Sequence, residues 1–350
     1  MKEIVFVGVS GGVDSSLSAA LLVEAGYDVV GVYMKNWTTD LPGAKCPWAE
    51  DLADAKRVTV QLGIPFKVFD FQKKYRSLVV DYMISEYQAG RTPNPDIMCN
   101  QEIKFGLFLQ TALTNGANLI ATGHYAQVET RNKRRGARLL KAKDANKDQT
   151  YFLYRVTEKA LTQTLFPIGH LTKPQVRAEA AKRGLITAHK KDSQGICFVG
   201  SVGIRDFLSQ FIKTAPGNII DKDTGKIIGR HDGAIFYTFG QRHGLSVGGG
   251  LPYYVVGKNM ANNEVYVSTN LNHKSFWHNE IQLTDLHWIN EPAAANKTYQ
   301  VRLRHRASLI DCQIESNTIK LASAERIIAP GQSAVIYDGE VVLGGGIVCT

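Results

Sequence analysis

The 350-residue sequence has no apolar run long enough to cross a bilayer, which excludes a membrane-spanning helix and makes no membrane partner expected. Its five cysteines, Cys46, Cys99, Cys197, Cys312 and Cys349, form no CxxC pair, so a structural zinc site is poorly supported. An odd count also argues against a disulfide framework and leaves room for reactive thiols. Met1-Lys2-Glu3 leads straight into an apolar run, so no signal or transit peptide is expected and the expected compartment is the cytoplasm. Internal repeats and low-complexity segments are missing too. What is present is a globular composition, 44% hydrophobic and 21% charged, in a chain long enough for two or three domains. The net charge of +9 favours a polyanionic partner such as nucleic acid, since basic surface releases condensed counterions on binding.

The most informative stretch comes first. Ile4-Val5-Phe6-Val7-Gly8-Val9 reads as a buried strand, and Ser10-Gly11-Gly12-Val13-Asp14-Ser15-Ser16 follows it. Leu17, Ala20, Leu21 and Ala25 then recur at helical spacing until Gly26. A glycine loop between a strand and a helix N-terminus presents backbone N–H groups and the positive end of the helix dipole, which suits a phosphate. Gly11 and Gly12 admit anionic oxygens where a Cβ would block them, and the serines add hydroxyl donors. Asp14 beside phosphates makes sense mainly if a divalent cation bridges them. The loop lacks the lysine of GxxxxGK[ST] and is not GxGxxG. It resembles the SGGxDS loop of ATP pyrophosphatases, which cut ATP between the α and β phosphates and adenylate a substrate.

Strands are expected over residues 27–34, 64–71 and 118–121, alternating with helices over 51–62, 75–88 and 103–113. Such alternation predicts an α/β doubly wound parallel sheet with its ligand site at the carboxyl ends of the strands, near Met34 and Gly123. Arg131-Asn132-Lys133-Arg134-Arg135 is a basic run that reads first as a solvated loop. Thr172-Lys173-Pro174 opens a helix through Arg183. From about residue 201 short strands and glycines predict a small mixed central domain. From about 280 strand and turn dominate, with residues 299–305, 311–315, 333–337 and 341–343 as strands and Asp338-Gly339 as a hairpin turn. A C-terminal antiparallel β-barrel is the natural closure. The expected domains are residues 1–200, 201–278 and 279–350. Arg302, Arg304 and Arg306, alternating along a strand, are expected on one face.

Two further stretches carry chemistry. Thr92-Pro93-Asn94-Pro95-Asp96-Ile97-Met98-Cys99-Asn100 reads as a loop stiffened by two prolines, presenting Asp96 and Cys99 together. Asp192-Ser193-Gln194-Gly195-Ile196-Cys197-Phe198 sets a second cysteine beside glycine and polar residues. Either alone also fits a structural loop with a small buried thiol. Cys46, Cys312 and Cys349 are read as structural, the last two within strands.

In order along the chain, SGGVDSS, TPNPDIMCN, GHYA, KDQTYFL, DSQGICF, YTFGQRHGL and YDGEVVLGGGI resemble the bacterial tRNA-specific 2-thiouridylase family. The resemblance runs from the first strand to the last. It implies that ATP adenylates the C2 oxygen of the wobble uridine in a tRNA anticodon, that Cys197 carries sulfur as a persulfide, and that Cys99 is the partnering nucleophile, the two passing through a transient disulfide. It implies Asp96 as general acid/base and Asn94, Pro95 and Asp96 as the pocket for the target base. It implies ATP contacts from Gly8, Val9, Ser10, Gly11, Gly12, Val13, Asp14, Ser15, Met34 and Gly123, with Mg2+ arriving with ATP and possible at Asp14. It implies tRNA contacts from Lys147, Asp148, Gln149, Arg304 and His305. A sulfur donor protein is implied as well, either a cysteine desulfurase or a sulfur-relay carrier. Rival readings are another adenylating ligase with the same loop, an iron–sulfur cluster held by Cys99, Cys197 and Asp96, and a non-catalytic RNA-binding protein. Ligases need an ammonia source or an amino-acid pocket rather than two separated cysteines. Two thiolates fall short of the usual four cluster ligands.

Overall fold

The computed structural model describes residues 2–40, 46–130, 136–192, 203–245, 247–248, 250–326 and 328–349. The N-terminal strands are β1 (Ile4–Gly8), β2 (Asp28–Lys35), β3 (Phe66–Asp70), β4 (Leu119–Ala121), a hairpin β5 (Gln127–Thr130) and β6 (Ala137–Leu140), and β7 (Thr164–Leu165). Five of them form a parallel sheet in the order β3-β2-β1-β4-β7. Alternation along β1 shows why both faces are covered. Phe6 joins one hydrophobic cluster with Ile103, Phe108 and Ile120, while Val5 and Val7 join another with Ala19 and Val58. A strand buried on both sides needs apolar residues at every position, which β1 supplies. Helices α1 (Val13–Glu24) and α2 (Trp48–Gln61) contribute Ala19 and Val58 to the second face. Strand order reverses at β1, so its carboxyl end is the crevice where a ligand site is expected.

The central strands β8 (Gly217–Asp221), β9 (Ile227–His231), β10 (Tyr254–Asn259) and β11 (Glu264–Ser268) pair in the order β10-β11-β8-β9, with only β11–β8 parallel. The C-terminal strands are β12 (Trp277–Trp288), β13 (Tyr299–Arg302), β14 (Ile310–Glu315), β15 (Thr318–Arg326), β16 (Ser333–Asp338) and β17 (Val341–Val348). They run β12-β15-β14-β13-β16-β17, and β17 pairs back onto β12, closing an antiparallel six-stranded barrel. Gly339, at φ +61°, makes the β16–β17 turn, as Asp338-Gly339 predicts. The β5–β6 hairpin was not legible as strands. It extends the barrel sheet, Val341 pairing with Leu140 and Val342 with Leu139, so the N-terminal part and the barrel share one hydrogen-bonded sheet. The basic run 131–135 between those two strands lies outside the described residues.

Three local expectations are corrected. Strand β13 ends at Arg302, and Arg306 adopts φ +63°, so Arg302, Arg304 and Arg306 do not share a strand face. Arg302 instead turns inward, over the Tyr337 ring and against Asp148. The stretch after Asn94 is helix rather than loop. Pro95 occupies the first turn of Pro95–Met98, where a missing N–H costs nothing, and the Asn94 side chain caps it by accepting from Asp96 N–H. Cys349 lies just past the end of β17 and is exposed.

Candidate active site

At the start of α1, Gly12 has no side chain with which to cap, leaving the first N–H groups of the helix without an intrahelical acceptor. Hydroxyls tie the loop to itself. Ser10 N–H donates to Ser15 Oγ at 3.1 Å, and Ser16 Oγ donates to the Gly12 carbonyl at 2.8 Å. Gly11 sits at φ +76°, and a β-carbon there would come 2.6 Å from the Asp51 carbonyl oxygen. A β-carbon on Gly123 would come 2.7 Å from Ser15 N, so glycine lets the end of β4 press against the first turn of α1.

Asp14 faces two donors. Tyr125 Oη donates to Oδ1 at 2.9 Å, and Lys173 Nζ donates to both oxygens at 2.8 and 2.9 Å. Lys173 also reaches Asp192 Oδ1 at 2.8 Å, which Arg177 meets at 2.7 Å, while Lys147 meets Asp192 Oδ2 at 2.7 Å. Burial works to raise the Asp192 pKa, but Lys147 and Lys173 outweigh it and hold it at about 2. Lys190 bridges Asp51 and Asp54 of α2 at 2.8 and 2.7 Å. Burial opposes its charge, and the two carboxylates still hold its pKa above the usual lysine value.

Asp96 and Cys99 follow one another on a single helical path, Pro95–Met98 running into a π-helical stretch, Cys99–Phe108. Cys99 is 2% exposed. Burial pushes its thiol pKa up, the Lys104 charge pulls it down and Asp96 pushes it up again, leaving it above the ordinary cysteine value. Asp96 Oδ1 is buried without a hydrogen-bond partner. Such an atom is costly unless a ligand or proton satisfies it.

One pocket of 430 Å3 gathers much of this, within the range usual for small-molecule sites. Val9, Ser10, Gly12, Val13 and Asp14 form one wall and Met34 lies beside them, with Cys99, Lys104, Lys147, Gln149, Phe152, His305 and Arg306 also in the lining. Gly8, Gly11, Ser15 and Gly123 are outside the lining, and close packing at the three glycines leaves no room for a β-carbon. Asn94, Pro95 and Asp96 are outside the lining. Gln149 exchanges hydrogen bonds with Tyr125, its backbone with the Tyr125 carbonyl and its side chain with the Tyr125 N–H. His305 packs against Phe152 with ring centroids 4.5 Å apart and planes tilted by 43°, and its pKa is lowered, by burial first and then by Arg306 and Arg302. Asp148 is only 3% exposed and accepts from Ala142 N–H, Thr150 N–H, Thr150 Oγ1 and Arg302. Its carboxylate therefore joins the N-terminal part to the barrel rather than facing solvent. Arg304 is exposed. Cys197 lies outside the described residues, as do its neighbours 193–202.

Several pocket residues were not singled out from the sequence. Lys104, Lys190 and Lys191 bring positive charge to it, and Cys46, named in the sequence only as a structural thiol, lines it too. An isolated lysine carries no local signature; only the fold brings these into one pocket with the glycine loop. The junction at Thr92 was also illegible. Its N–H donates to the Pro330 carbonyl at 2.9 Å, its carbonyl accepts from Gln332 Nε2 at 2.7 Å, and its hydroxyl meets Thr238 Oγ1 at 3.2 Å. Central part, barrel and the Asp96–Cys99 helix thus meet at one residue.

The donor set fits an anionic nucleotide: helix N–H groups, a serine hydroxyl, apolar Val9 and Met34, and lysines. Among the described residues no cluster of three or more His, Cys, Asp or Glu could hold a metal ion, and no helix is long and apolar enough to cross a membrane. Family models match along the chain: a tRNA methyl transferase HUP domain at residues 3–201, a tRNA methyl transferase PRC-barrel domain at 205–269 and an aminomethyltransferase beta-barrel domain at 278–348. The tRNA-specific 2-thiouridylase MnmA of Oceanobacillus iheyensis is 47% identical over 99% of this chain and 95% of its own. That of Methylobacillus flagellatus is 45% identical over 99% of both chains, and that of Bacillus cytotoxicus 44% identical over 98% of this chain and 94% of its own. A parallel-sheet nucleotide loop, a buried thiol in the same pocket and likeness over nearly the whole length together mean that the chain belongs to the tRNA-specific 2-thiouridylase family, the tRNA-uridine 2-sulfurtransferases.

Proposed function

We propose that the pocket performs both halves of the thiolation: adenylation of the C2 oxygen of the wobble uridine, then replacement of that oxygen by sulfur. The observation that carries this reading is the shared lining, in which the phosphate-binding loop and Cys99 face the same 430 Å3 space. ATP lies with its phosphates on the N–H groups of α1 and the Ser10 hydroxyl, and its base against Val9 and Met34. Attack of the uridine oxygen on the α-phosphorus expels pyrophosphate and turns a poor leaving group into AMP, while Lys190 and Lys191 offset developing charge. Asp14, at the start of α1, would hold a magnesium ion arriving with the nucleotide, which would supply further charge neutralisation.

Sulfur arrives as a persulfide on Cys197, delivered by a cysteine desulfurase or a relay carrier. In one route the Cys99 thiolate attacks the Cys197 sulfur, forming the Cys99–Cys197 disulfide and expelling hydrosulfide, which displaces AMP from C2. In the other the terminal persulfide sulfur displaces AMP, and Cys99 then attacks the Cys197 sulfur, freeing the thiocarbonyl and leaving the same disulfide. A dithiol reductant resets the pair in both. Asp96, with its unpartnered buried oxygen, serves as general acid/base, and Asn94 and Pro95 shape the base pocket. The target base must leave its stack to enter, so wide contacts to tRNA are needed. Lys147, Gln149, Arg304 and His305 supply them, with Asp148 fixing the ground beneath. The substrates proposed are the tRNAs for lysine, glutamate and glutamine.

A single-turnover assay with tRNA transcript, magnesium, α-labelled ATP and a persulfide donor tests the reading. AMP and 2-thiouridine should appear together, each dependent on both substrates. AMP formed without tRNA but with a small acceptor would overturn it.

A further inference from the structure

Lys104 stands five residues after Cys99. In an α-helix of 3.6 residues per turn, residues five apart point about 140° away from each other. The stretch Cys99–Phe108 is instead π-helical, and i→i+5 bonding brings residues five apart back toward one face. Cys99 and Lys104 accordingly line the same pocket. Gly106 suits the wide winding, since a β-carbon there would lie 2.8 Å from the Gln101 carbonyl oxygen.

The ammonium is held from behind. Lys104 Nζ lies 3.3 Å from His124 Nε2, and His124 Nδ1 lies 2.8 Å from Thr122 Oγ1. An ammonium only donates, so Nε2 accepts and the ring proton sits on Nδ1, donated to Thr122. His124 is buried against Phe105 and Phe166, at ring-centroid distances of 5.7 and 6.0 Å. Burial, then the Lys104 charge, holds its pKa well below the ordinary histidine value, so it stays neutral and remains an acceptor.

We propose that Lys104 is the positioning cation for Cys99, aimed by His124 and by the π-helical winding so that the sulfur reacts as a thiolate. This rests on the reading of Cys99 as a reacting thiol. Around Cys99 stand Asp96 and Lys104 from its own helical path and Tyr75 from the helix Gln72–Tyr75, with Lys147, His305 and Arg306 in the lining of the same pocket. Burial and Asp96 oppose ionisation and keep the thiol pKa above the ordinary cysteine value, and Lys104 is the larger of the two influences pulling against them.

The test uses the full-length protein and reads thiolate absorbance at 240 nm against pH, as the difference between each protein and its Cys99→Ser counterpart. Lys104→Gln keeps a donor for His124 and removes the charge; the Cys99 midpoint should rise by about one pH unit, as loss of a nearby opposite charge requires. Lys104→Arg should restore most of it, and Gly106→Ala, which disturbs the winding with Lys104 present, should raise it partway. An unmoved midpoint in a folded Lys104→Gln protein overturns the proposal. If that protein instead shows only a several-fold higher KM for ATP, Lys104 serves the nucleotide. Because ionisation is read without turnover, this outcome is separate from that of the thiolation reading, which fails if Cys99→Ser still makes 2-thiouridine.

Discussion

Lys173 Nζ lies 2.8 Å from Asp14 Oδ1 and 2.8 Å from Asp192 Oδ1. One buried ammonium therefore ties the glycine loop at the start of α1 to Asp192. Lys173→Met leaves two carboxylates facing each other without their shared counter-charge. Removing one member of a buried pair costs about 3–5 kcal/mol, and partial exposure of both carboxylates reduces this to about 2 kcal/mol. Urea denaturation at neutral pH should show that loss, and AMP formation should fall with it.

The same network sets a pH dependence. The Asp192 pKa is held at about 2, below the ordinary aspartate value near 4. A depressed folded pKa gives stability that is fully present above the unfolded value and is lost as pH falls through the folded one. The stability gap between wild type and Asp192→Asn should be constant above about pH 5 and shrink between about pH 4 and pH 2. Denaturation midpoints across that range check it; a gap that grows on acidification would contradict the ion pairs.

Gly123→Ala places a β-carbon 2.7 Å from Ser15 N. The end of β4 or the first turn of α1 must move, and the loop loses its alignment for the α-phosphorus. AMP formation should fall by about tenfold or more, because misplacement of about 1 Å at a reacting centre costs as much. The fold should survive, as judged by the thermal midpoint.

Asp148 and Arg302 couple two domains through a contact of 3.4 Å beneath the pocket. Asp148→Ala strips acceptors from Thr150 and Arg302 and should destabilise by about 2–3 kcal/mol. A double-mutant cycle with Arg302→Met should return a coupling energy of about 1 kcal/mol or more. Additive losses would mean the pair is incidental.

Cys99→Ser and Cys197→Ser should each abolish 2-thiouridine formation while leaving tRNA affinity nearly unchanged, measured by filter binding. Strong loss of tRNA binding would make the thiols structural.

Local rules made much of this protein readable. The strand–loop–helix at residues 4–24, the alternation of strand and helix, and the Asp338-Gly339 turn arise from apolar spacing and glycine position, which act over a few residues. Family likeness rested on motifs equally local. The same logic misread the stretch after Asn94, because a proline that stiffens a loop also opens a helix, and only the cap at Asn94 decides between them. It also gave three alternating arginines to one strand, which the turn after Arg302 breaks.

The sequence by itself determined the glycine loop between strand and helix, the parallel sheet and the closing barrel, since each is written in neighbouring side chains. Tertiary structure alone decided which of them meet. Lys173 reaches Asp14 across 159 positions, Arg302 reaches Asp148 across 154, and β6 pairs with β17. These contacts are set by how the domains pack, and no short-range pattern encodes a partner that far along the chain.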